Sequence, residues 1–269
     1  MRDSVLRENV MIITGASSGI GRALALQLAQ QGAWLALAAR NVEQLKTVAE
    51  DCRRYSGRAI VVPTDVAEQA QCQNLVDQTV AEYGRLDTLV NNAGISMWVR
   101  FDELRDLSVF ERIMRVNYLG SVYLTAYALP YLKQARGRIG AVSSLAGKNG
   151  IPTRSGYAAS KHAMAGFFDS LRIELKETGV TVTMIYPGFV RSEIRERAFD
   201  ADGQPLKKSP VREAEVMTPE ECARIIINAI ARRKREEVMT LRGKLGQWVK
   251  LIAPGLVDNL ARKAIEEGK

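Results

Sequence analysis

Short apolar runs alternate with longer helical patterns along almost the whole chain. The runs fall at residues 10–13, 34–39, 58–63, 86–90, 137–143, 181–186 and 238–240. Continuous apolar runs of this length are typical of strands buried on both faces of a parallel sheet. The helical patterns cover residues 22–31, 41–55, 68–83, 108–132 and 155–178, with a further helix opening at Thr218. This alternation predicts an α/β protein with one doubly wound parallel sheet and helices on both faces.

Two segments depart from the alternation. From about 190 to 217, charged residues, Gly203, Pro205 and Pro210 replace the apolar pattern. We expect a mobile loop over the site there, within a single domain of residues 1–269. The helical tail at about 241–269 carries a second apolar set: Leu245, Trp248, Val249, Leu251, Ile252, Leu256, Val257 and Leu260. We expect this tail to pack on its own domain or a partner subunit. Peripheral attachment to a membrane is the alternative, because the tail is basic and amphipathic.

The first strand leads into a glycine-rich loop, Thr14-Gly15-Ala16-Ser17-Ser18-Gly19-Ile20-Gly21, and then a helix. Glycines let the backbone approach a pyrophosphate, and the helix N-terminus offers unpaired N–H groups to an anion. A plain tight turn is the alternative. The strand-loop-helix context favours dinucleotide binding.

The second strand ends in Ala39-Arg40-Asn41, where dinucleotide folds read the adenosine ribose. An acidic residue that would accept from the 2′-hydroxyl of NAD is missing there, and the Arg40 guanidinium suits a 2′-phosphate. The sequence therefore predicts NADP, unless Arg40 only caps the sheet. Asn41 is also a plausible N-cap, with Gln44 three residues later. Asp65, after the third strand, could accept from an adenine amino group or cap the next helix.

The fourth strand ends in the loop Asn91-Asn92-Ala93-Gly94, expected at the carboxyl edge against the cofactor. Asn117 lies inside a long predicted helix, where an amide is not a strong helix former, although a surface Asn would explain it equally. Ser144 follows the fifth strand, thirteen residues before Tyr157. A loop returning to the next helix can bring these two hydroxyls together.

Tyr157 and Lys161 are four residues apart on that helix, so both side chains lie on one face. A phenol titrates near pH ~10 and is a poor acid at neutral pH. A fixed ammonium one turn away favours the phenolate and makes the phenol a better proton donor. The spacing alone is common by chance, and only the rest of the chain gives it weight.

Composition and charge exclude several classes. The net charge is +8, but the basic residues are scattered, and the cluster at 232–235 is better explained as a helix end than as a nucleic-acid site. Cys52, Cys72 and Cys222 have no metal or disulfide spacing, which indicates reduced thiols and a cytoplasmic location. The single histidine, His162, points off the Tyr157 face, so a His-ligated metal or a serine-histidine hydrolase is not expected. The N-terminus shows no apolar signal region.

Together, Thr14-Gly15-x-x-x-Gly19-x-Gly21, Asn91-Asn92-Ala93-Gly94, Asn117, Ser144, Tyr157-x-x-x-Lys161 and Pro187-Gly188 resemble the short-chain dehydrogenase/reductase family. The resemblance runs from about residue 9 to 240. The stretch 143–148, with Arg40, is similar to the branch of hydroxysteroid dehydrogenases and NADPH-dependent carbonyl reductases. It implies a Rossmann-type sheet of about seven strands and a homodimer or homotetramer.

The resemblance also implies roles. Tyr157 would give a proton to a carbonyl oxygen, and Lys161 would make the phenol more acidic and hold the nicotinamide ribose. Ser144 would hydrogen-bond the carbonyl, and Asn117 would hold a water that connects Lys161 to solvent. The implied cofactor contacts are Gly15, Ser17, Ser18, Gly19, Ile20 and Gly21 at the pyrophosphate, Asp65 and Val66 at the adenine, Asn92, Ala93 and Gly94 on the adenosine side, and Pro187, Gly188, Val190 and Ser192 near the carboxamide. The family often has Thr in place of Ser192, but a hydroxyl remains.

These features predict an NADPH-dependent reductase of a ketone or aldehyde, reversible as an alcohol dehydrogenase. Residues near the cofactor loops predict an apolar pocket for a hydrophobic small molecule: Ile95, Ser96, Met97, Trp98, Leu145, Ile151 and Phe189. Ser144, Tyr157, Leu145 and Phe189 are the expected substrate contacts. One alternative is reduction of 3-oxo groups on acyl thioesters, because a basic surface suits an acidic carrier. Another is a non-catalytic NADP sensor or scaffold. The sequence leaves substrate, direction and stereochemistry open.

Overall fold

The structure, a computed structural model, describes residues 5–55, 58–210 and 216–266. Seven strands form one sheet: β1 Val10–Thr14, β2 Trp34–Ala39, β3 Arg58–Pro63, β4 Thr88–Asn91, β5 Arg138–Val142, β6 Thr181–Tyr186 and β7 Glu236–Val238. Every neighbouring pair is parallel. The strand order is β3-β2-β1-β4-β5-β6-β7. This confirms the Rossmann-type doubly wound sheet predicted from the apolar runs.

Helices cover both faces of the sheet. They are α1 Gly19–Gln30, α2 Val42–Arg53, α3 Gln69–Tyr83, α4 Ser108–Met114, α5 Gly120–Gln134, α6 Ser155–Glu174, α7 Pro219–Ala231, α8 Leu241–Ile252 and α9 Pro254–Glu266. Alternate residues of β1 enter different cores: Met11 and Ile13 pack with α1, α2 and α7, whereas Val10 and Ile12 pack with α3, α5 and α6. A strand buried on both sides explains why the sequence shows continuous apolar runs rather than alternation.

The strand order places the site. The chain runs outward from β1 to β3 and then returns to β4, which lies on the other side of β1. The loops after β1 and β4 therefore leave the sheet in opposite directions and open a crevice at its carboxyl edge. This switch point is where the glycine-rich loop and the loop after β4 meet.

Two predicted helix starts are confirmed by their caps. The Asn41 side chain accepts a hydrogen bond from the Gln44 backbone N–H at 3.1 Å and caps α2. Thr218 accepts from the Glu221 N–H at 3.1 Å and caps α7, with Pro219 as the first helical residue. Both caps satisfy backbone donors that the helix leaves unpaired.

The long helix predicted at 108–132 is not continuous. A π-helical segment, Arg115–Leu119, separates α4 from α5. A π-helical turn holds more residues than an α-helical turn, so it rotates the direction in which the Asn117 side chain points. This side chain is fully buried. The explanation of Asn117 as a surface residue is therefore wrong.

The segment after β6 has no helix or strand in the parts of 190–217 that the structure describes; residues 211–215 lie outside them. It is nevertheless attached to the core. Phe199 donates its N–H to the Ser96 carbonyl at 2.9 Å and accepts from the Trp98 N–H at 2.9 Å, and Ala201 accepts from the Arg105 N–H at 2.9 Å. Its mobility stays a prediction.

The tail forms α8 and α9, separated at Ala253 close to the predicted break, with residues 267–269 outside the described range. Large apolar side chains of these helices are between 53% and 87% exposed: Leu241, Leu245, Trp248, Leu251, Ile252, Leu256 and Leu260. The expectation that this apolar set packs on its own domain is therefore wrong for these residues. A partner subunit and a membrane surface stay as alternatives. No helix in the described part of the chain is long and apolar enough to cross a membrane.

Candidate active site

A cavity of about 720 Å³ opens at the carboxyl edge of the sheet. It brings together most of the site residues predicted from the sequence, from the loops that follow the first six strands and from α6. Those lining it are Gly15, Ser17, Ser18, Gly19, Ile20, Arg40, Asn41, Asp65, Val66, Asn92, Ala93, Gly94, Ser144, Tyr157, Lys161, Pro187, Gly188, Phe189, Val190 and Ser192.

The glycine-rich loop forms a cradle that side chains would fill. Gly15 and Gly19 have φ angles of 65° and 52°, in the left-handed region that glycine adopts without strain. A Cβ on Gly21 would lie 2.1 Å from the Gly15 carbonyl oxygen, so this position also requires glycine. Gly21 itself lies outside the cavity lining, under the loop.

Helix α1 begins at this cradle without a side-chain cap. Ser18 precedes the helix in an extended conformation, and its side chain makes no capping hydrogen bond. The first N–H groups of α1 are therefore available to an anion at the positive end of the helix dipole. The residues present fit the pyrophosphate of a dinucleotide.

Thr14, which the sequence reasoning gave no role, joins the loops after β1 and β4. Its hydroxyl oxygen accepts from the backbone N–H groups of Asn92 and Ala93, both at 2.9 Å. Asn92 Nδ2 donates to the Thr14 carbonyl at 2.8 Å. The hydroxyl at the last position of a strand, before the glycines, was the signal for this role.

Arg40 lies at the rim of the cavity. Its side chain is 68% exposed, and Nη1 lies 3.9 Å from Asp65 Oδ2. Asp65 Oδ1 accepts from the Ala67 N–H at 3.0 Å, so this carboxylate stabilises the turn before α3. Glu68, and not Asp65, occupies the N-cap position of α3. The guanidinium of Arg40 is thus exposed at the end of β2 beside Asp65, and the adenine contact of Asp65 stays a prediction.

Tyr157 and Lys161 lie on the buried face of α6. Lys161 Nζ donates to the Val142 carbonyl at the end of β5 at 2.9 Å and lies 5.8 Å from the centroid of the Tyr157 ring. The lysine is only 3% exposed. Burial, followed by the charge of Arg154, lowers the pKa of Lys161 to about 8.

Ser144 and Asn117 complete the predicted catalytic set in different ways. Ser144 lines the cavity, and its oxygen accepts from the Ala146 N–H at 3.2 Å, which leaves its hydroxyl proton to donate. Asn117 lies outside the lining. Its amide donates to the Ile95 carbonyl and to Ser160 Oγ, both at 2.9 Å, and accepts from the Ile95 N–H at 2.8 Å.

Asn117 therefore fixes the loop after β4 against α6, because Ser160 in turn donates to the Tyr157 carbonyl at 2.8 Å. A Cβ on Gly94 would lie 3.3 Å from Asn117 Oδ1 and 3.7 Å from Lys161 Nζ. Glycine at this position leaves the space between amide and ammonium open, whereas a side chain would crowd the Asn117 amide oxygen. The water that Asn117 is expected to hold stays a prediction.

The loop after β6 reaches the glycine cradle. A Cβ on Gly19 would lie 3.2 Å from Ser192 Cβ, so Ser192 narrows the crevice beside the start of α1. Pro187, Gly188 and Val190 also line the cavity. Their contact with the nicotinamide end of a cofactor stays a prediction.

The prediction that the residues near the cofactor loops form an apolar wall of the cavity is largely wrong. Of that set only Ile95 and Phe189 line the cavity. Ser96 and Met97 are buried in the protein interior. Leu145, predicted to contact substrate, packs instead beside Gly188 and Gly243, where added Cβ atoms would lie 3.7 and 2.6 Å from its methyl groups.

Arginines that the sequence reasoning missed form much of the wall: Arg112, Arg115, Arg154, Arg195 and Arg197. Glu193 is the acidic residue of the lining near them, and it forms an ion pair with Arg197. One signal for Arg154 was its position three residues before Tyr157, next to the start of the same helix.

Other chemistries find no support in the described ranges. No cluster of His, Cys, Asp or Glu there could hold a metal ion. The three cysteines are free and buried. Burial raises the pKa of each thiol to about 12, which makes them unreactive. His162 is exposed, with Nδ1 2.9 Å from the Ala158 carbonyl of its own helix.

Comparison with known proteins identifies the family. A family model described as short chain dehydrogenase matches residues 9–203. The chain belongs to the short-chain dehydrogenase family. It is therefore an oxidoreductase, of a family that binds nicotinamide cofactors.

Relatives of this short-chain dehydrogenase include 11-beta-hydroxysteroid dehydrogenase A of Sesamum indicum, 38% identical over 93% of this chain and 73% of the relative. Dehydrogenase/reductase SDR family protein 7-like of Dictyostelium discoideum is 34% identical over 97% and 83%. A crystal structure of a short chain dehydrogenase/reductase from Burkholderia phymatum in complex with NAD has a TM-score of 0.83. It covers 95% of this chain and 96% of its own at 23% identity, a likeness that shows the fold.

The buried ammonium of Lys161 predicts a stability effect with a defined sign. Its pKa is about 8 in the folded protein and ~10.4 in an unfolded chain. The cost of burying the charge is thus full below pH ~8 and disappears as the pH rises to ~10.4. We expect Lys161→Met to raise the free energy of unfolding of the cofactor-free protein by about 2–3 kcal/mol at pH 7.

The measurement is urea unfolding of both proteins at intervals between pH 7 and 10. The difference between them should shrink as the pH rises, because the wild type gains stability over this range. Lys133→Met, at an exposed position of α5, is the matched control and should show no such trend. A difference that stays constant with pH would contradict the account.

Proposed function

We propose that this enzyme is an NADPH-dependent reductase of ketones or aldehydes, reversible as an alcohol dehydrogenase. The observation that carries the proposal is the meeting of Ser144, Tyr157 and Lys161 in one cavity with the uncapped, glycine-lined start of α1. A proton donor, a hydrogen-bond donor and an anion site then lie around one space, as carbonyl reduction requires.

Each side chain has a defined task in this proposal. A nicotinamide bound in this cavity would supply hydride to the carbonyl carbon, or accept it in the reverse direction. Tyr157 delivers its hydroxyl proton to the carbonyl oxygen, and Ser144 donates a hydrogen bond to that oxygen while negative charge develops on it. Lys161 holds a positive charge beside the phenol, and Asn117 keeps the loop after β4 and α6 in register around the site.

The choice of NADP rests on Arg40. Its exposed guanidinium at the end of β2 suits a 2′-phosphate, and the Ala39-Arg40-Asn41 sequence offers no carboxylate to a 2′-hydroxyl. The Burkholderia structure was described with NAD, and that protein is only distantly similar.

A hydrophobic carbonyl compound is the proposed substrate, supported by the apolar side chains of Ile95, Val116 and Phe189 in the lining. The names of the hydroxysteroid dehydrogenase relatives agree with this class. A second candidate is a 3-oxo acyl thioester, which the arginines of the cavity favour because such carriers bear phosphates. Acetoacetyl-CoA belongs in the substrate panel for this reason.

We also propose that the protein is a homo-oligomer and cytoplasmic. The exposed apolar side chains of α8 and α9 are a surface that a second copy would cover. The free, buried cysteines agree with a reducing compartment, and fluorescence microscopy of a tagged chain tests the location.

Tyr157→Phe tests the proposed reaction. It removes the proton donor and keeps the ring, so we expect kcat/KM for carbonyl reduction to fall by at least about 100-fold with NADPH binding retained. The measurement is NADPH oxidation with a panel of ketones and aldehydes. Tyr127→Phe is the control: it removes, from α5, a hydroxyl that accepts a hydrogen bond from Gln69 on α3. Wild-type turnover in Tyr157→Phe would exclude Tyr157 as the acid, and tight NADPH binding without turnover in the wild type would favour the sensor alternative.

Arg40→Asp tests the cofactor separately. Exchanging the guanidinium for a carboxylate should lower the NADPH-to-NADH ratio of kcat/KM by about 100-fold. The reason is that a charged hydrogen bond to the 2′-phosphate of NADPH is lost and the new carboxylate repels that phosphate. Arg54→Asp, on the exposed end of α2, serves as the control. An unchanged ratio for Arg40→Asp would show that another residue reads the ribose.

Light scattering after size exclusion tests the oligomer. We expect a dimer or tetramer, reduced to a smaller species by the double substitution Trp248→Glu and Ile252→Glu, which charges the exposed face of α8. Leu107→Glu changes an equally exposed apolar residue outside the tail and should leave the mass unchanged. A monomeric wild type that floats with anionic vesicles would instead support the membrane alternative.

A further inference from the structure

Arg154 is a buried cation in the wall of the cavity. Only 5% of the residue is exposed. Its guanidinium carbon lies 4.4 Å from the centroid of the Tyr157 ring and 5.3 and 6.0 Å from the rings of Trp98 and Phe189. Nη2 donates to Ser96 Oγ at 2.8 Å. Aromatic faces and one hydroxyl therefore hold the guanidinium in place beside the proposed proton donor.

Three of the other arginines of the wall have acidic partners, and the buried Arg195 donates to the Val190 carbonyl at 2.8 Å and to Ser209 Oγ at 3.1 Å. Arg112 Nη2 lies 2.6 Å from Asp106, Arg115 Nε lies 3.1 Å from Glu111, and Arg197 pairs with Glu193. Arg154 has no carboxylate partner among the residues that the structure describes. Its buried Nε has no hydrogen-bond partner within those residues either.

A charge in this position is costly unless something pairs with it. Removing a guanidinium from water without an opposite charge is strongly unfavourable, and burial accordingly lowers the pKa of Arg154. Arginine nevertheless stays protonated because its pKa is so high. The planar N–H fork of arginine matches a carboxylate or a phosphate in two-point hydrogen bonding.

We propose that the substrate carries an oxyanion, a carboxylate or a phosphate, near its carbonyl group, and that Arg154 binds this oxyanion in the cavity beside Tyr157. The inference rests on the proposed function and narrows its substrate to an amphipathic carbonyl compound. The apolar part contacts Ile95 and Phe189, and the anion supplies the charge that Arg154 lacks. Binding it would also orient the carbonyl toward Tyr157 and Ser144.

The kinetic test compares matched acids and esters. Benzoylformate, benzoylacetate and 4-acetylbenzoate place a carboxylate at increasing distance from a ketone, and their methyl esters remove the charge. The acid-to-ester ratio of kcat/KM is measured for the wild type and for Arg154→Met. Comparing ratios between two proteins cancels the intrinsic reactivity of each compound.

We expect at least one acid-ester pair to show a ratio that falls by about 10- to 100-fold in Arg154→Met, mainly through KM of the acid. Arg154→Lys keeps the charge without the planar fork and should recover part of the ratio. Arg115→Met removes a neighbouring charge that already forms an ion pair with Glu111. The acid-to-ester ratio of this variant should therefore match that of the wild type.

A phosphate pair identifies the oxyanion. 4-Acetylphenyl phosphate is compared with 4-methoxyacetophenone in the same way. If the charged-to-uncharged ratio of kcat/KM falls more in Arg154→Met for the phosphate pair, the substrate carries a phosphate. If it falls more for an acid-ester pair, the substrate carries a carboxylate.

Calorimetric binding to the wild type keeps the inference testable if Arg154→Met fails to fold or no carbonyl is turned over. With the protein saturated with NADP⁺, benzoate should bind at least about tenfold more tightly than benzamide. Because this readout needs no reaction, absence of turnover with the whole panel would count against the proposed function and not against the anion site.

Four results would overturn the inference. The first is equal binding of benzoate and benzamide, and the second is an Arg154→Met variant that slows acid and ester by the same factor, as a structural role requires. The third is an Arg115→Met variant that shifts the acid-to-ester ratio as much as Arg154→Met does. The fourth is a change in KM for NADPH alone in Arg154→Met, which would mean that Arg154 binds an anion of the cofactor.

Discussion

The site depends on one buried contact, between the ammonium of Lys161 and the carbonyl of Val142 at the end of β5. It attaches α6 to the carboxyl edge of the sheet at the point where the strands end. Because Tyr157 lies one helical turn before Lys161, the same contact fixes where the phenol faces. A dehydrated cation is costly, and the lowered pKa of Lys161 records that cost. The protein thus gives up stability to keep a positive charge beside the phenol.

The electrostatic character of the cavity follows from this arrangement. At one end lie the N-terminus of α1 and Arg40, both suited to phosphates. At the other end, Arg154 adds a second buried cation over the ring of Tyr157. A strongly positive cleft stabilises an oxyanion that develops on a carbonyl oxygen, and it favours the binding of anionic molecules over neutral ones.

Much of this architecture could be predicted because local pattern and fold agree. Strands buried on both faces must be continuously apolar, and a glycine loop between strand and helix has few uses other than binding phosphate. Caps such as Asn41 and Thr218 depend on side chains within four residues, so a single stretch of sequence carries them. The positions of Ser144, Tyr157 and Lys161 follow from strand ends and helix periodicity.

The features that could not be predicted depend on contacts between distant segments. The π-helical segment at Asn117 is set by the loop after β4 and by Ser160, 43 residues later. Whether an arginine faces solvent or a cavity depends on rings such as Trp98 and Phe189 that meet it only in the folded chain. Leu145 was expected in the pocket, but α8 covers it, and no short-range pattern records that contact.

A crystal structure of the protein with NADP⁺ and a non-reacting carbonyl analogue would show whether the phenol meets the carbonyl oxygen beside the nicotinamide. We expect the nicotinamide ring between the loop after β6 and Tyr157, with the analogue's oxygen hydrogen-bonded to the hydroxyls of Tyr157 and Ser144. A nicotinamide bound away from Tyr157, or an analogue whose oxygen contacts neither hydroxyl, would contradict this expectation.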